Sequence, residues 1–507
     1  MFRSTAIPRW GLLLVTLLLG AVPLVAVPTV VAGSSPHSAA RWAGYPIPRT
    51  GLAAGGWIGG YRIGHTPIFL VTPTRLPNRT GYQRARLVDD LDGRRGATRA
   101  ETKRAAWILS KYGGYRDAAQ AAAVDASVYA LLVGGRWRIN GAQGSRRIDR
   151  AGDPSTVRRF ARIMLNQSRR HAGQYRARVA ATNADAGGTT EATVTVTDGH
   201  GRPAAGLPVT VAATGAAPVR AVTGDNGRAV ARFAAPRPGW RRITATVGQV
   251  PEHRLHLRLP IRSRQAAAAE GGVRRTLVAG TRAGVRGSQT LSLKASPATV
   301  LRGSPARVTA TVTGDGTTRS ATGTLYGPFA AASAVQCAGA AVGTVRSSVR
   351  GNGAYTLPAL KPGTAGYYVW RVAVAGTPTA IPVSGCGATT TVKAVAAVSV
   401  KALKTEMAPG PAPVQVGLSG LPTYPPFDVT LNVYGPFATK QAVTASSCSG
   451  AIHATAVQKM NGTDTLTLNP YLDATGWYAL QATVPAGDLR QGSQSACAAS
   501  GTVLHVS

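Results

Sequence analysis

The 507-residue sequence predicts a multidomain, mostly β chain, with a small α+β head at its N-terminal end followed by three β-sandwich modules. Three observations carry that expectation. The stretch from Ala100 to Gly135 has the only strong helical apolar pattern of the mature chain. Beyond Gly187 the pattern changes to period-two strands separated by Gly and Pro turns. The C-terminal part then repeats one order of motifs, with two cysteines in each copy.

Composition sets the outer bounds. A chain of this length has room for about three to five domains. Apolar residues make up 44% and charged residues only 15%, which suits β modules built from small side chains. The formal net charge is +37, and residues 1–300 hold 44 of the 57 basic and 14 of the 20 acidic residues. The excess is thus +30 there and +7 in the remainder. One reading is a solvated, Arg-rich surface. The sharper one is a field that attracts anionic wall polymer or lipid. Specific nucleic-acid recognition is set aside, because no recognition module matches and no aromatics interleave with the arginines.

The N-terminus sets the expected address. Arg3 and Arg9 precede an apolar run from Gly11 to Val27, and Val30-Val31-Ala32 offers a small-residue cleavage site. Residues 1–32 therefore read as a secretory signal peptide, and the protein as secreted, extracellular or envelope-associated. The end of the sequence, GTVLHVS, offers no sortase-type sorting motif and no apolar tail. Four cysteines fit an oxidising space. Each pair, Cys337–Cys386 and Cys448–Cys497, is separated by 49 positions, so one disulfide per module is expected, worth roughly 2–4 kcal/mol each. That spacing is too long for a zinc site, and no metal or other cofactor is expected.

The head is assigned to residues 33–187. Gly44-Tyr45-Pro46-Ile47-Pro48 is a stiff entry, Gly55 to Gly64 a tight strand pair, and Ile68-Phe69-Leu70-Val71 a short strand. Arg84 to Arg99 reads as a polar loop, in which Asp89, Asp90 and Asp92 are loop acids rather than cation ligands. A helix ends at Tyr112-Gly113-Gly114, and a second starts at Asp117, which can cap it. Asp153-Pro154-Ser155 opens a further helix. One side of that helix is apolar, with Val157, Phe160, Ile163 and Met164. The other carries Arg158, Arg159, Arg162, Arg169 and Arg170, which are the candidate contacts to an anionic surface.

Several of these features together resemble the thioester domains of Gram-positive surface proteins, in the form found in actinobacterial relatives. They are Tyr45-Pro46-Ile47-Pro48, the strand Ile68–Val71 before Pro73, Trp107-Ile108-Leu109 with Tyr112-Gly113, and Asp117-Ala118-Ala119-Gln120 entering a helix with Val128-Tyr129. The resemblance covers roughly residues 43–137. It implies a Cys in the early strand joined to a Gln at the helix entry. Here Gln120 matches the Gln, Leu70 occupies the Cys position, and no Cys precedes Cys337. A thioester needs a thiol leaving group, so the covalent chemistry is expected to be absent and the site degenerate.

Residues 188–260 are the first predicted sandwich. Alternating Thr193–Thr197, the turn Asp198-Gly199-His200-Gly201-Arg202-Pro203, the strand from Leu207 to Val211 and the turn at Thr223–Arg228 resemble bacterial Ig-like and prealbumin-like surface domains. Some prealbumin-like domains form a Lys–Asn crosslink, but no Lys lies between Tyr112 and Leu293. Asp198, Asp225 and Asn226 read as turn residues rather than calcium ligands. Glu252 to Arg258 is expected to finish this sheet, and residues 261–288 to form an exposed basic linker open to proteolysis. Residues 289–394 and 395–507 are the duplicated pair. Both contain a Tyr-Gly-Pro-Phe segment, at Tyr326–Phe329 and Tyr434–Phe437, then a Cys, an aromatic strand and a second Cys. Trp370 and Trp477 align only approximately, and core packing is expected of these aromatics.

No catalytic constellation emerges. His65, His171, His200, His253 and His256 show no metal-ligand spacing, and no nucleophile elbow or phosphate loop is present. The expectation is therefore a non-enzymatic secreted or cell-surface structural and adhesion protein. Its noncovalent partners would be wall polymer, extracellular matrix or another surface protein. The alternatives are an envelope-associated polyanion-binding module and, behind it, a divergent hydrolase around Gln120, Asp117 and Tyr129.

Overall fold

The structure, a computed structural model, describes residues 39–47, 56–78, 81–91, 97–262, 264–423 and 426–507. The expected signal peptide, Pro48, Gly55 and Asp92 lie outside the described residues. Two compact units divide the chain: Met1–Gln174 with Pro251–Arg275, and Tyr175–Val250 with Thr276–Ser507.

The first unit, the head, opens with β1 (Ala40–Pro46), β2 (Trp57–Ile63), β3 (Thr66–Leu70) and β4 (Arg86–Val88). β1 and β2 cross closely at Gly44 and Gly59, where a Cβ on either would stand 2.2 Å from backbone oxygen of the other strand. Four helices follow: α1 (Arg99–Tyr112), α2 (Ala118–Leu132), α3 (Ala142–Asp149) and α4 (Pro154–His171). Their starts obey local chemistry. Thr98 and Glu101 form a reciprocal capping box on α1, Asp117 caps α2 through the Gln120 amide, and Asp153 caps α4 ahead of Pro154. α2 is buried on nearly every side, and its small Ala side chains let α1, α4 and the sheet approach together.

Beyond Gln174 the chain builds β5 (Arg176–Ala181), β6 (Ala184–Asp185), β7 (Gly188–Thr197), β8 (Pro208–Ala213), β9 (Val219–Val222), β10 (Arg228–Ala235) and β11 (Gly239–Pro251). Strict alternation along β10 puts Ala229, Ala231 and Phe233 inside. Next come β12 (Leu255–Arg258) and β13 (Ala268–Glu270), which join the head sheet, and only then β14 (Arg274–Arg286), which closes the sandwich. The head sheet has the order β1-β2-β3-β13-β12-β4, with Ala268 opposite Leu70 and Leu257 opposite Ala269. The sandwich has the sheets β5-β7-β10 and β6-β14-β11-β8-β9, with β6 parallel to β14.

The second module holds β15 (Thr290–Ala295), β16 (Thr299–Leu301), β17 (Val308–Thr313), β18 (Thr318–Phe329), β19 (Ala341–Arg350), β20 (Gly353–Thr356), β21 (Gly366–Val374) and β22 (Val383–Val395). The third holds β23 (Ala397–Ala402), β24 (Glu406–Met407), β25 (Gly410–Pro411), β26 (Val414–Ser419), β27 (Phe427–Phe437), β28 (Ile452–Met460), β29 (Thr465–Leu468), β30 (Tyr471–Leu472), β31 (Gly476–Val484), β32 (Arg490–Gln491), β33 (Ser493–Gln494) and β34 (Val503–Val506). Their main sheets are β15-β17-β20 with β16-β22-β21-β18-β19, and β23-β26-β29 with β24-β34-β31-β27-β28. All three modules thus share one three-plus-five strand order with one parallel pair. This is an immunoglobulin-like sandwich, and the chain is a multidomain, mostly β protein.

The kinship reaches further than the duplicated pair. Gly239, Gly366 and Gly476 all open the equivalent strand with positive φ. Two residues on, a buried side chain reaches back to an upstream carbonyl. Tyr368 donates to Thr364 O and Tyr478 to Ala474 O, each at 2.7 Å, while Arg241 donates to Ala234 O at 2.9 Å. The cis peptides Gly327–Pro328 and Gly435–Pro436 also occupy matching places.

Several expectations change. Residues 261–288 are not a linker, for Ala266, Ala267, Ala268 and Ala269 are buried and β14 runs to Arg286. Their low side-chain volume suits a strand packed within the head, not solvent exposure. Glu252 to Arg258 extends the head sheet rather than that of the sandwich. The first sandwich begins at Arg176, not near residue 188. The polar stretch Arg84–Arg99 contains β4, and α3 was not foreseen.

Within the second unit the modules meet in one repeated way. The segment leaving β14 pairs in parallel with the turn before β22, through Gly287 N to Thr379 O and Ile381 N to Gly287 O, both at 2.9 Å. The end of β22 pairs in parallel with β32, which lies in the corresponding turn of the third module. At the upper junction the fully buried Arg319 side chain reaches Gln289, Asp315 O and Gly351 O. At the lower one Arg490 lies over Phe427, 4.4 Å from the ring centroid, and Lys393 donates to Gly487 O at 2.8 Å.

Both disulfides form as expected, Cys337–Cys386 and Cys448–Cys497. They lie outside the cores. Cys386 is exposed, and its cross-strand partner is the exposed Arg371 on the outer sheet face.

Ala269→Asp places a charge between Phe69 on β3 and Leu257 on β12, with no cationic residue opposite it on either strand. A loss of about 3 kcal/mol or more in head stability is expected, with the unfolding of the second and third modules unchanged in calorimetry.

Candidate functional site

Two polar constellations are built into the head. The first lies beneath α2. Asp125 is the one acidic residue of that Ala-rich helix, and it is 1% exposed. Arg147, on α3, meets it at 2.6 Å. The guanidinium also donates to Trp57 O at 2.8 Å, and Asp125 accepts from Gly59 N at 3.1 Å. The pair therefore ties two helices to β2. Arg147 stacks over Tyr129, 4.6 Å from the ring centroid, and Tyr129 meets Trp137 edge-on. Burial lifts the Asp125 carboxyl to about 6 against the pull of Arg147. The Tyr129 phenol is raised well above its usual range, again by burial first and by Asp125 second. Among the described residues, its hydroxyl and that of Ser127 have no hydrogen-bond partner. Such a site is a structural clamp whose charges hold elements together.

The second constellation joins α1 to the two late-arriving strands. Ser110 Oγ donates to Val273 O and accepts from the Glu252 amide. His256 stands between two carboxylates, with Nδ1 3.5 Å from Glu270 Oε2 and Nε2 3.8 Å from Glu252 Oε2. These distances are ion-pair contacts, and Nε2 makes no hydrogen bond among the described residues. Glu270 is also held by Arg258 at 2.6 Å. His253 Nδ1 is shared between Glu252 Oε1 at 3.1 Å and Arg275 Nη1 at 2.8 Å, and its tautomer decides which it serves. The carboxylates of Glu252 and then Glu270 push the His256 imidazole up to about 9, so it is an imidazolium at neutral pH. Burial works against the Glu252 carboxylate, yet the hydrogen bonds from His253 and the nearby positive charge of His256 outweigh it and hold it far below its usual range.

Ser110, His256 and Glu270 line one cavity with the composition of a hydrolytic triad, but its volume is about 10 Å³. That holds a single water and no substrate. Ser110 already donates its proton to a carbonyl, and His256 is charged, so neither nucleophile nor base is available in this state.

The predicted site residues are placed as follows. Leu70 is buried in β3 opposite Ala268, and the Gln120 side-chain Nε2 donates to Tyr112 O at 3.1 Å at the end of α1. Asp117 is an exposed cap beside Gln120, whereas Tyr129 lies further along α2 with Arg147. The three proposed hydrolase residues therefore do not form one group. On α4, Arg159, Arg162, Arg169 and Arg170 are exposed, while Arg158 is half-buried and paired with Asp149. Asp198 accepts from the His200 and Arg202 amides and Asn226 from the Arg228 amide, the local bonding of turns. Trp370 is a core residue, but Trp477 is not its equivalent. Trp477 takes the position of Tyr367, stacks on His505 at 4.5 Å and lies beneath Lys440.

Asp125, Arg147, Glu252 and Glu270 were missed as site residues. A lone Asp inside an apolar helix was the available signal for the first. Nothing local marked the glutamates, because their partners come from distant segments.

No protein-family model and no curated protein sequence matches the chain. Among solved structures, the Escherichia coli adhesin FdeC aligns over 66% of this chain and 97% of its own, at 16% identity and a TM-score of 0.28. A C-terminal 282-residue intimin fragment, solved with the intimin-binding domain of the translocated intimin receptor, aligns over 46% and 68%, at 14% identity and a TM-score of 0.24. The native conformation of E. coli alpha-2-macroglobulin aligns over 64% and 30%, at 11% identity and a TM-score of 0.18. Scores this low carry no argument about activity or partners.

Two outcomes test the clusters. Arg147→Met leaves Asp125 buried and unpaired and should cost about 3–5 kcal/mol of head stability. The double variant Asp125→Asn with Arg147→Met should recover much of that loss in denaturant melts. Because the His256 pKa is raised on folding, its stabilisation is complete below about 6.5 and fades as pH rises toward 9. His256→Gln should remove that alkaline decline, which is up to about 3 kcal/mol.

Proposed function

We propose that the protein is a secreted or cell-surface structural and adhesion protein that makes noncovalent contacts through its head and its three Ig-like modules. The observation that carries this is the serial use of one sandwich plan, with a brace at each junction inside the second unit. Modules of this kind present surfaces, and the polar clusters of the head hold elements together with no space for a substrate. The two disulfides suit an oxidising space outside the cytoplasm. The resemblance of residues 43–137 to thioester domains fits a surface-protein head, and with Leu70 at the thiol position capture of nucleophiles has no chemical basis. The partners are wall polymer, matrix or another surface protein.

A second reading, attachment to an anionic envelope polymer or lipid, is favoured by the four exposed arginines along α4. Salt separates the two. Beads coated with the purified chain should bind cell envelopes or matrix and remain attached in about 0.5 M NaCl, where exposed ionic contacts are screened. Release at that salt would favour the electrostatic reading. Failure to bind either surface, or to reach the outside of the producing cell in protease shaving, would overturn the adhesin reading.

A further inference from the structure

The outer face of the second module's five-stranded sheet carries an open groove of about 420 Å³, lined by Ser320, Thr322, Arg371, Ala373, Pro382 and Ser384 among others. The register explains its chemistry. Thr322, Ala373 and Ser384 stand in one row across β18, β21 and β22, and Arg346 on β19 continues the row just outside the groove's lining. In the next row Arg371 lies beside Thr324. None of these four strands contains an Asp or Glu. Among the described residues, the side chains of Ser320, Thr322, Arg346, Arg371 and Ser384 have no hydrogen-bond or ionic partner within the protein. Neighbouring hydroxyls do: Thr324 pairs with Thr344 at 3.2 Å on the same sheet.

The third module supplies an internal comparison at the same fold positions. There Val457 replaces Arg346, Gln481 replaces Arg371, Asp428 replaces Ser320, and Thr483 replaces Ala373. Gln481 is buried and spent on Ser495 O at 3.2 Å. Two copies of one module thus differ in that one keeps an uncommitted cationic, hydroxyl-lined surface and the other has lost both arginines and gained an acid.

We propose that this groove binds an acidic polysaccharide, with Arg346 and Arg371 taking the carboxylates of its sugars and the Ser/Thr floor its hydroxyls. The planar guanidinium fork matches a carboxylate in two parallel hydrogen bonds. A small Ala373 on the floor lets a chain approach the sheet. The lining residues named include no aromatic, which removes the platform that stacking on nucleobases requires and leaves the anionic group as the handle. An open groove fits a chain lying across strands better than an engulfed small molecule. The inference rests on the polyanion-binding reading, names its partner class and moves the contact from α4 to the second module, and it can fail alone.

The test uses the full chain and oligogalacturonate in titration calorimetry at about 150 mM salt, where long-range attraction to the basic surface is damped. Arg346→Val, Arg371→Gln and Ser320→Asp, which import the third module's residues, should each weaken binding by about three- to tenfold. Arg169→Gln with Arg170→Gln on α4 should leave it unchanged. Unaltered melting of every variant excludes misfolding as the cause. Absence of oligogalacturonate binding overturns the inference. So does an equal loss in the α4 variant, or equally tight binding of neutral malto-oligosaccharide or poly(glycerol phosphate). If oligogalacturonate fails while coated beads still hold envelopes or matrix, the adhesin reading survives and this one does not.

Discussion

The head depends on two strands that arrive late in the chain. β13 and β12 fill the space between β3 and β4, so without them the inner edge of β3 would present unpaired amides and carbonyls beneath the helices. The ionic cluster around His256 belongs to the same constraint. Glu252, His256 and Glu270 come with the late segment, and Ser110 on α1 receives it through the Glu252 amide. Placing two acids and two histidines at this seam makes docking of the segment directional, because a shifted register would bury carboxylates away from their partners.

The same topological idea recurs on a smaller scale between the sandwiches. In the second and third modules, the turn before the closing strand pairs with the strand leaving the module upstream. In the first module that connection is enlarged into the two strands of the head sheet. The fillings differ. Arg319 sits among carbonyls and Gln289 at one junction, and Arg490 covers Phe427 at the other. Backbone pairing is what the junctions share, so the side chains beneath were free to diverge.

Much of the architecture could be read from local pattern. The starts of α1, α2 and α4 carry capping residues at the correct offsets, and the period-two runs of all three modules are strands. Equal cysteine spacing led to the observed pairing. What failed was long-range. QAAAAEGG has neither β-branched residues nor alternation, so it reads as a linker, yet its four Ala are buried and Ala268–Glu270 pairs as a strand between β3 and β12. α3 has a single buried apolar side chain, Ile148, and its register is set largely by Arg147 reaching Asp125. The relation of the first sandwich to the other two was hidden because Arg241 performs with a guanidinium what Tyr368 and Tyr478 perform with a phenol.

The disulfides lie on the outside of modules whose interiors are already filled by aliphatic and aromatic side chains. Each fastens a surface excursion: residues 330–340 in one copy, and the segment around Cys448 in the other. Reduction would therefore untie a surface flap while leaving the sandwich assembled. The redox state of the surroundings would set the shape of the module surface.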